Sequence, residues 1–187
     1  MRKILILKVI LLCFISSLVS AQRMIPKQKG FEINAGTFAE TQMNKNFYVN
    51  AAFMVYGKKG NYQLYSLEYS QQTANYQSLS IPIANYLAEA GYGFHFLGDY
   101  KRNVNLYTAV SATAGYETIN NGNSELPDGG LIVDQVNFIY GAGGKLSLET
   151  YLTDQLVFLI QGKVKVLWNT DLEQFRPSLG FGFRFNF

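Results

Sequence analysis

The chain contains one cysteine, one histidine, one tryptophan and four prolines in 187 residues. A single cysteine, Cys13, excludes an internal disulfide framework and a thiolate metal site. A single histidine, His95, excludes a histidine-rich metal site, and no partner constellation accompanies it for a catalytic triad. Charged residues are scarce at 16%, yet 15% aromatic and 48% hydrophobic residues exclude a disordered tail. Downstream of the N-terminal leader no stretch reaches 18 consecutive apolar residues, so no membrane-spanning helix is expected there. Dinucleotide-binding GxGxxG is missing as well. The stretch 141–145 (GAGGK) is not a phosphate-binding loop, because Ile139 stands where the first glycine belongs and Leu146 where Ser or Thr is needed.

Residues 1–21 read as a secretory signal peptide. Arg2, Lys3 and Lys8 precede the apolar run 9–15, and Val19, Ser20 and Ala21 supply the small or apolar residues of a cleavage site. The formal charge of the full chain is +3. Three bases and no acid depart with the leader, so residues 22–187 carry 13 bases and 13 acids and are formally neutral. Cys13 leaves too. A neutral mature chain argues against extensive contact with nucleic acid, where phosphate neutralisation supplies most non-specific affinity.

What the sequence does have is 28 aromatic residues and a recurring period of two, the signature of strands. The end of the chain is clearest: Leu179, Phe181, Phe183, Phe185 and Phe187 share one face, and Gly180, Gly182, Arg184 and Asn186 the other. Similar alternation marks 156–168, 136–149, 104–117, 86–96, 62–70, 47–56 and, most weakly, 31–38. In 156–168, Val157, Leu159 and Leu167 blur an otherwise polar face made by Gln161, Lys163 and Lys165.

Eight strands and no amphipathic helix predict an all-β fold. Strands of about 9–11 residues with apolar-out, polar-in alternation suit a transmembrane barrel. A soluble sandwich or lipocalin-like barrel also alternates, but points its aromatics inward. The connections favour the membrane. Short turns at 57–61, 97–103 and 152–154 fall at one end, and longer loops at 39–45, 71–80, 119–134 and 169–176 at the other. Outer-membrane barrels sort their loops this way, with short turns in the periplasm. The expectation is an eight-stranded antiparallel up-and-down outer-membrane β-barrel over 22–187, in a Gram-negative bacterium.

An eight-stranded barrel has an interior just filled by side chains. The inward set includes Glu32, Glu68, Glu89, Glu117 and Glu149, facing Lys145, Lys163, Lys165 and Arg184. Charges withdrawn from water must pair, so these residues are expected to form an ion network that plugs the barrel. His95 faces the same interior. The loop 120–130 is rich in turn residues and is either a recognition loop or a solvated one. No catalytic, cofactor or metal site emerges.

Phe181, Phe183, Phe185 and Phe187 resemble the C-terminal strand signal that the barrel assembly machinery of bacterial outer membranes reads. The blocks 22–36 (QRMIPKQKGFEINAG), 60–69 (GNYQLYSLEY), 137–152 (NFIYGAGGKLSLETYL) and 162–187 (GKVKVLWNTDLEQFRPSLGFGFRFNF) resemble the conjugal transfer protein TraO of Bacteroidetes conjugative transposons. That resemblance implies a component of a conjugative, type IV secretion-like apparatus, with other conjugative transfer proteins as partners. The residues themselves, lacking a histidine-based constellation, predict no enzymatic activity and no cofactor; the barrel and its last strand predict outer-membrane lipid and the assembly machinery as partners, and the neutral charge of 22–187 predicts no direct nucleic-acid contact. A stand-alone barrel acting as an adhesin or a lipid-modifying enzyme is the alternative.

Overall fold

The structure, a computed structural model, describes residues 25–39, 46–76, 79–100, 103–126, 129–132 and 134–187. The leader expected at 1–21 lies outside the described residues. Eight strands follow in order: β1 (Lys29–Phe38), β2 (Phe47–Tyr56), β3 (Tyr62–Tyr76), β4 (Leu79–Gly98), β5 (Val104–Ile119), β6 (Val136–Tyr151), β7 (Leu156–Trp168) and β8 (Phe175–Asn186). Each pairs antiparallel with the next, and β8 returns to β1, closing the barrel. Closure leaves no sheet edge, the condition for crossing hydrocarbon with strands.

The distribution of side chains is inside-out. Leu67 is 68% exposed and Phe181 61%, whereas Glu32 and Arg184 are fully buried. The outward Leu, Phe, Tyr and Val side chains run all round the barrel, and a contiguous apolar surface of that kind far exceeds the roughly few hundred Å² that a soluble monomer exposes. The outer wall therefore belongs in lipid, and the soluble-barrel alternative fails on this point. Aromatics mark both rims of the wall. Tyr69 contacts Phe47 and Tyr86 at ring-centroid distances of 6.1 and 5.3 Å, and Tyr140 contacts Phe138 and Trp168 at 6.4 and 5.9 Å, all near the end that carries the long loops. Phenylalanines dominate the opposite end, where Phe158 meets Phe183 at 5.4 Å and Phe185 meets Phe187 at 6.4 Å.

Three connections differ from the sequence reading. The segment 71–80 is not a loop, because β3 and β4 stay paired from Gln71↔Ala84 to Tyr76↔Leu79 and only 77–78 lie between them. At 20 residues, β4 is twice the length of β1 or β2. Its far end stands beyond an apolar band roughly 25 Å tall, where neither face needs to be apolar and the period-two signal disappears. Pro82 sits one residue past the last β4–β5 pair, Ile83↔Ile119. The second boundary is in 169–176, where β8 begins at Phe175. Pro177 accepts at its carbonyl from the Ala39 amide. Its missing N–H thus faces the β1 side, where the ladder ends at Phe38↔Ser178, and costs no ladder bond. The turn 97–103 is also shortened, since β4 reaches Gly98 through a bulge between His95 and Leu97.

Glycines permit the closing seam. A Cβ on Gly180 would meet the Tyr48 hydroxyl and the Ala35 carbonyl, and one on Gly182 would meet the Ile33 carbonyl and Asn34. Gly144, by contrast, faces open space. Gly180→Leu should therefore block closure, at about 1–3 kcal/mol or more of overpacking, while Gly144→Ala should fold normally. Protease resistance after refolding into vesicles measures both. Equal yields of folded protein from the two variants would contradict the seam assignment.

Candidate functional site

The interior is built in three levels. Nearest the short turns is an apolar cluster: Ala52, Met54, Tyr56, Tyr62, Leu64, Tyr107, Tyr151, Val157 and Leu159, all buried. Val157 and Leu159, which blur the pattern of β7 in sequence, point inward here and fill the floor. Leu167 does the same near the other end, against Leu87 and Ile139. The Tyr107 hydroxyl donates to the Gly60 carbonyl at 3.1 Å, tying this floor to the β2–β3 turn.

Above the floor lies Arg184, whose five guanidinium N–H groups all find acceptors. Nε and one terminal nitrogen donate to Glu32 Oε2 at 3.1 and 2.8 Å. The two terminal nitrogens reach Glu149 at 2.6 and 2.7 Å, and one also donates to the Tyr56 hydroxyl at 2.7 Å. Glu32 and Arg184 are direct partners across the β1–β8 seam. The second oxygen of Glu32 accepts from Gln161 at 2.7 Å and Asn34 at 2.9 Å, with the Lys145 ammonium 3.9 Å away.

The next step up is lysine-centred. Lys165 donates to Glu68 at 2.6 Å and also to Glu89. Lys163 donates to Asn34 at 3.0 Å, lies 3.6 Å from Glu68, and sits 4.4 Å over the Tyr48 ring. Lys145 and Lys163 are cross-strand neighbours, and Lys165 is two residues on. Like charges so placed repel, and Glu32, Glu68 and Glu89 intervene between them. The expected network residues Glu32, Glu68, Glu89, Glu149, Lys145, Lys163, Lys165 and Arg184 are thus gathered along one lumen. Most carboxylates come from β1, β3, β4 and β5, and the cations from β6, β7 and β8, so the pairs strap opposite walls together.

Sequence reasoning missed Arg176, which the reading of 169–176 left in a loop. It is buried on β8 and pairs with Glu117 at 3.3 Å. Glu117 is the hub of the outer mouth. It also accepts from the Thr170 hydroxyl at 2.6 Å and the Asp171 amide at 2.7 Å, and Arg176 Nε donates to the Glu173 carbonyl at 2.8 Å. These bonds hold residues 170–173 down over the mouth. Asn137 donates to the Asp171 carboxylate, and Asn169 to the Phe138 carbonyl at 2.8 Å. Partial burial, together with the Glu117 charge, pushes the Asp171 carboxyl above its ordinary range, against the Asn137 bond. The signal that could have placed Arg176 is its even spacing from Arg184, interrupted visually by Pro177.

With Arg176 included, five carboxylates face five cations in the lumen. The cavity beside Lys145, Lys163 and Lys165 holds about 20 Å³, room for about one water. His95 lies by the inner turn, its Nε2 3.2 Å from Asn105 Oδ1 and its ring 5.2 Å from that of Tyr107. Phe181, Phe183, Phe185 and Phe187 line the lipid face, and Phe187 exchanges two backbone hydrogen bonds with Lys29. Outside the lumen the ends differ in charge. Among the described residues, the outer loops expose Glu125, Asp134, Asp171 and Glu173, and the inner end exposes Lys27, Lys29, Lys58 and Lys59 together with Asp99.

The family model of conjugative transposon protein TraO matches residues 25–187. Among solved structures, the chain is similar to Neisserial surface protein A, with 17% identity, a TM-score of 0.60, and coverage of 86% of this chain and 97% of that one. It is similar to Ail, the attachment invasion locus protein of Yersinia pestis, at 12% identity, a TM-score of 0.55, and 87% and 100% coverage. The N-terminal β-barrel domain of Pseudomonas aeruginosa OprF aligns at 14% identity, a TM-score of 0.52, and 87% and 98% coverage. These likenesses bear on the fold: an outer-membrane barrel. Comparison with curated protein sequences finds no match.

The lumen generates two predictions. Arg184→Met leaves Glu32 and Glu149 buried without their shared cation and should cost about 3–5 kcal/mol. The triple change Glu32→Gln, Glu149→Gln and Arg184→Met should recover most of that loss. Urea unfolding from vesicles, followed by Trp168 fluorescence, measures both, and a triple variant less stable than Arg184→Met would refute the pairing. Purified protein in planar bilayers should show no stable conductance, whereas a persistent ion-selective current would mean that the lumen opens.

Proposed function

Because the chain belongs to the conjugative transposon TraO family, we propose that it serves a DNA-transfer apparatus as a sealed structural barrel in the outer membrane. The observation that carries this reading is the filled, charge-balanced lumen. Five lumenal cations are matched by five carboxylates, so the interior has neither bore nor net charge with which to pass a polyanion. A barrel of this kind contributes its wall and its two ends. Other transfer proteins dock on those surfaces, and DNA passes elsewhere.

In this reading the termini and short turns face the periplasm and the long loops face outward, the arrangement usual in outer-membrane barrels. The lipid-facing row Phe181, Phe183, Phe185 and Phe187 serves as the signal that the barrel assembly machinery reads. Catalysis has no part in it: His95 is engaged with Asn105 and Tyr107 at the inner end. Nor is adhesion to a sulfated polymer favoured. Ail has been crystallised with the heparin analogue sucrose octasulfate, whereas the described outer loops here expose Glu125, Asp134, Asp171 and Glu173.

Deleting the chain from its mobile element should lower mating frequency, with the wild-type protein recovered in the outer-membrane fraction. Phe187→Ala should reduce its outer-membrane level and lower transfer in proportion. Unchanged transfer after deletion would remove the conjugation role, and recovery in the soluble periplasm would remove the membrane location.

A further inference from the structure

The backbone at the inner end carries an unusual choice of residue. Among the described residues, five that are not glycine adopt left-handed φ angles: Lys27 (73°), Lys59 (62°), Asn120 (51°), Asn121 (53°) and Asn169 (61°). Asparagine is the side chain best suited to this conformation after glycine. It fills all three such positions at the outer end. Lysine fills both at the inner end, where its backbone is less comfortable. Something other than turn geometry accounts for lysine there, and what distinguishes it from asparagine is its charge.

The two strained lysines have company. The Lys27 amide donates to the Tyr56 carbonyl at 2.8 Å, which puts it beside the 57–61 turn that holds Lys58 and Lys59. Lys29 opens β1 on its lipid-facing side, one outward position beyond Phe31, and its backbone pairs with Phe187. All four lysines are exposed. They cluster on the β1–β3 side of the inner rim. The described acids of that rim, Asp99 and Asp154, lie in the β4–β5 and β6–β7 turns. Lys101 and Arg102, also in the β4–β5 turn by sequence, lie outside the described residues.

We propose that Lys27, Lys29, Lys58 and Lys59 form a binding site for the phosphate head groups of anionic phospholipid, in the leaflet that meets the inner end of the barrel. Two features select lipid over a protein partner. First, the lysines sit directly above a phenylalanine belt, Phe31, Phe53, Phe185 and Phe187, so their ammonium groups stand at head-group depth. Second, only five residues separate the last ladder pair, Tyr56↔Tyr62, so the turn cannot project past the head groups. Clusters of lysine at a membrane surface recruit anionic lipid in this way. The placement in the periplasmic leaflet rests on the orientation proposed above, but the lipid preference itself does not.

The test uses the full chain folded into nanodiscs of phosphatidylcholine alone or mixed with phosphatidylglycerol. Native mass spectrometry counts the anionic lipids each barrel retains. Lys27→Asn combined with Lys59→Asn removes two charges while giving both turns a residue that suits them. The variant should lose up to about twenty-five-fold of the phosphatidylglycerol preference, from about fivefold for each of the two lysines at an anionic surface. Its unfolding midpoint in pure phosphatidylcholine should hold or rise. Equal lipid preference in variant and wild type would overturn the site, and equal preference with reduced mating would assign the lysines to an acidic protein instead. A further arm adds inorganic phosphate to phosphatidylcholine nanodiscs. Saturable phosphate binding without a lipid preference would make free phosphate the ligand and overturn the lipid assignment. No transfer apparatus is present in the nanodisc arms, so failure of the conjugation role would leave their outcome unchanged.

Discussion

A guanidinium taken out of water must find five hydrogen-bond acceptors and a counter-charge, or it will not stay buried. Arg184 finds them in Glu32, Glu149 and Tyr56. Those three residues sit on β1, β6 and β2, so the arginine is satisfied only when β8 lies between β7 and β1. The charge that would be most costly to strand is thus satisfied only by closure. Lys165 with Glu68 and Arg176 with Glu117 extend the same logic along the axis, each joining strands that are not neighbours in the sheet. The lumen is not a passive filling. It supplies the cross-wall attraction that a soluble domain obtains from its apolar core.

That arrangement is compatible with the outer wall only because hydrocarbon, not water, surrounds it. Apolar side chains gain little from one another in lipid, so the wall contributes solubility in the bilayer and the lumen contributes specificity. Glycine reconciles the two. At Gly180 and Gly182 a side chain would strike the neighbouring strand or Tyr48, and its removal lets β8 approach β1 closely enough for the Glu32↔Arg184 pair to form. At the opposite mouth Glu117 does the equivalent task for a loop, converting residues 170–173 from free chain into a cover.

The period-two pattern carried most of the fold. Phe181 to Phe187 against Gly180 to Asn186 separates the two faces, because lipid and lumen impose opposite chemistry on alternate residues, and the sorting of short turns from long loops is what points the aromatic face outward. Inward charges were legible for the same reason: Glu32, Glu89 or Lys163 on a strand otherwise apolar has nowhere else to point. The pattern failed where one of those two solvents is replaced. Beyond the bilayer, at 71–80, water lies on the outer face and the alternation vanishes although the ladder continues. In the floor, Val157 and Leu159 face inward yet are apolar, because the lumen there is dry. Arg176 was lost to Pro177, a residue that ends strands in most settings and is harmless here because its missing N–H faces the side on which β1 has stopped. Which acid meets which base was beyond sequence reach, since it depends on contacts such as Lys165 to Glu68, separated by 97 residues.

Net charge misleads in two successive ways. The full chain sums to +3 because residues 1–21 hold three bases and no acid, and residues 22–187 sum to zero because separate balances are added together. The lumen cancels internally. Among the described residues, the outer loops expose Glu125, Asp134, Asp171 and Glu173, and the inner rim exposes four lysines and Asp99. These rims are held apart by an apolar band roughly 25 Å tall, against a screening length of about 8 Å at physiological ionic strength. Neither rim feels the other through solvent at that distance. Among the described residues, each end therefore presents charge mostly of one sign, although residues 22–187 sum to zero. In a barrel whose interior is filled, that separation leaves the two ends as the surfaces where charge can be read, and the two differ in predominant sign.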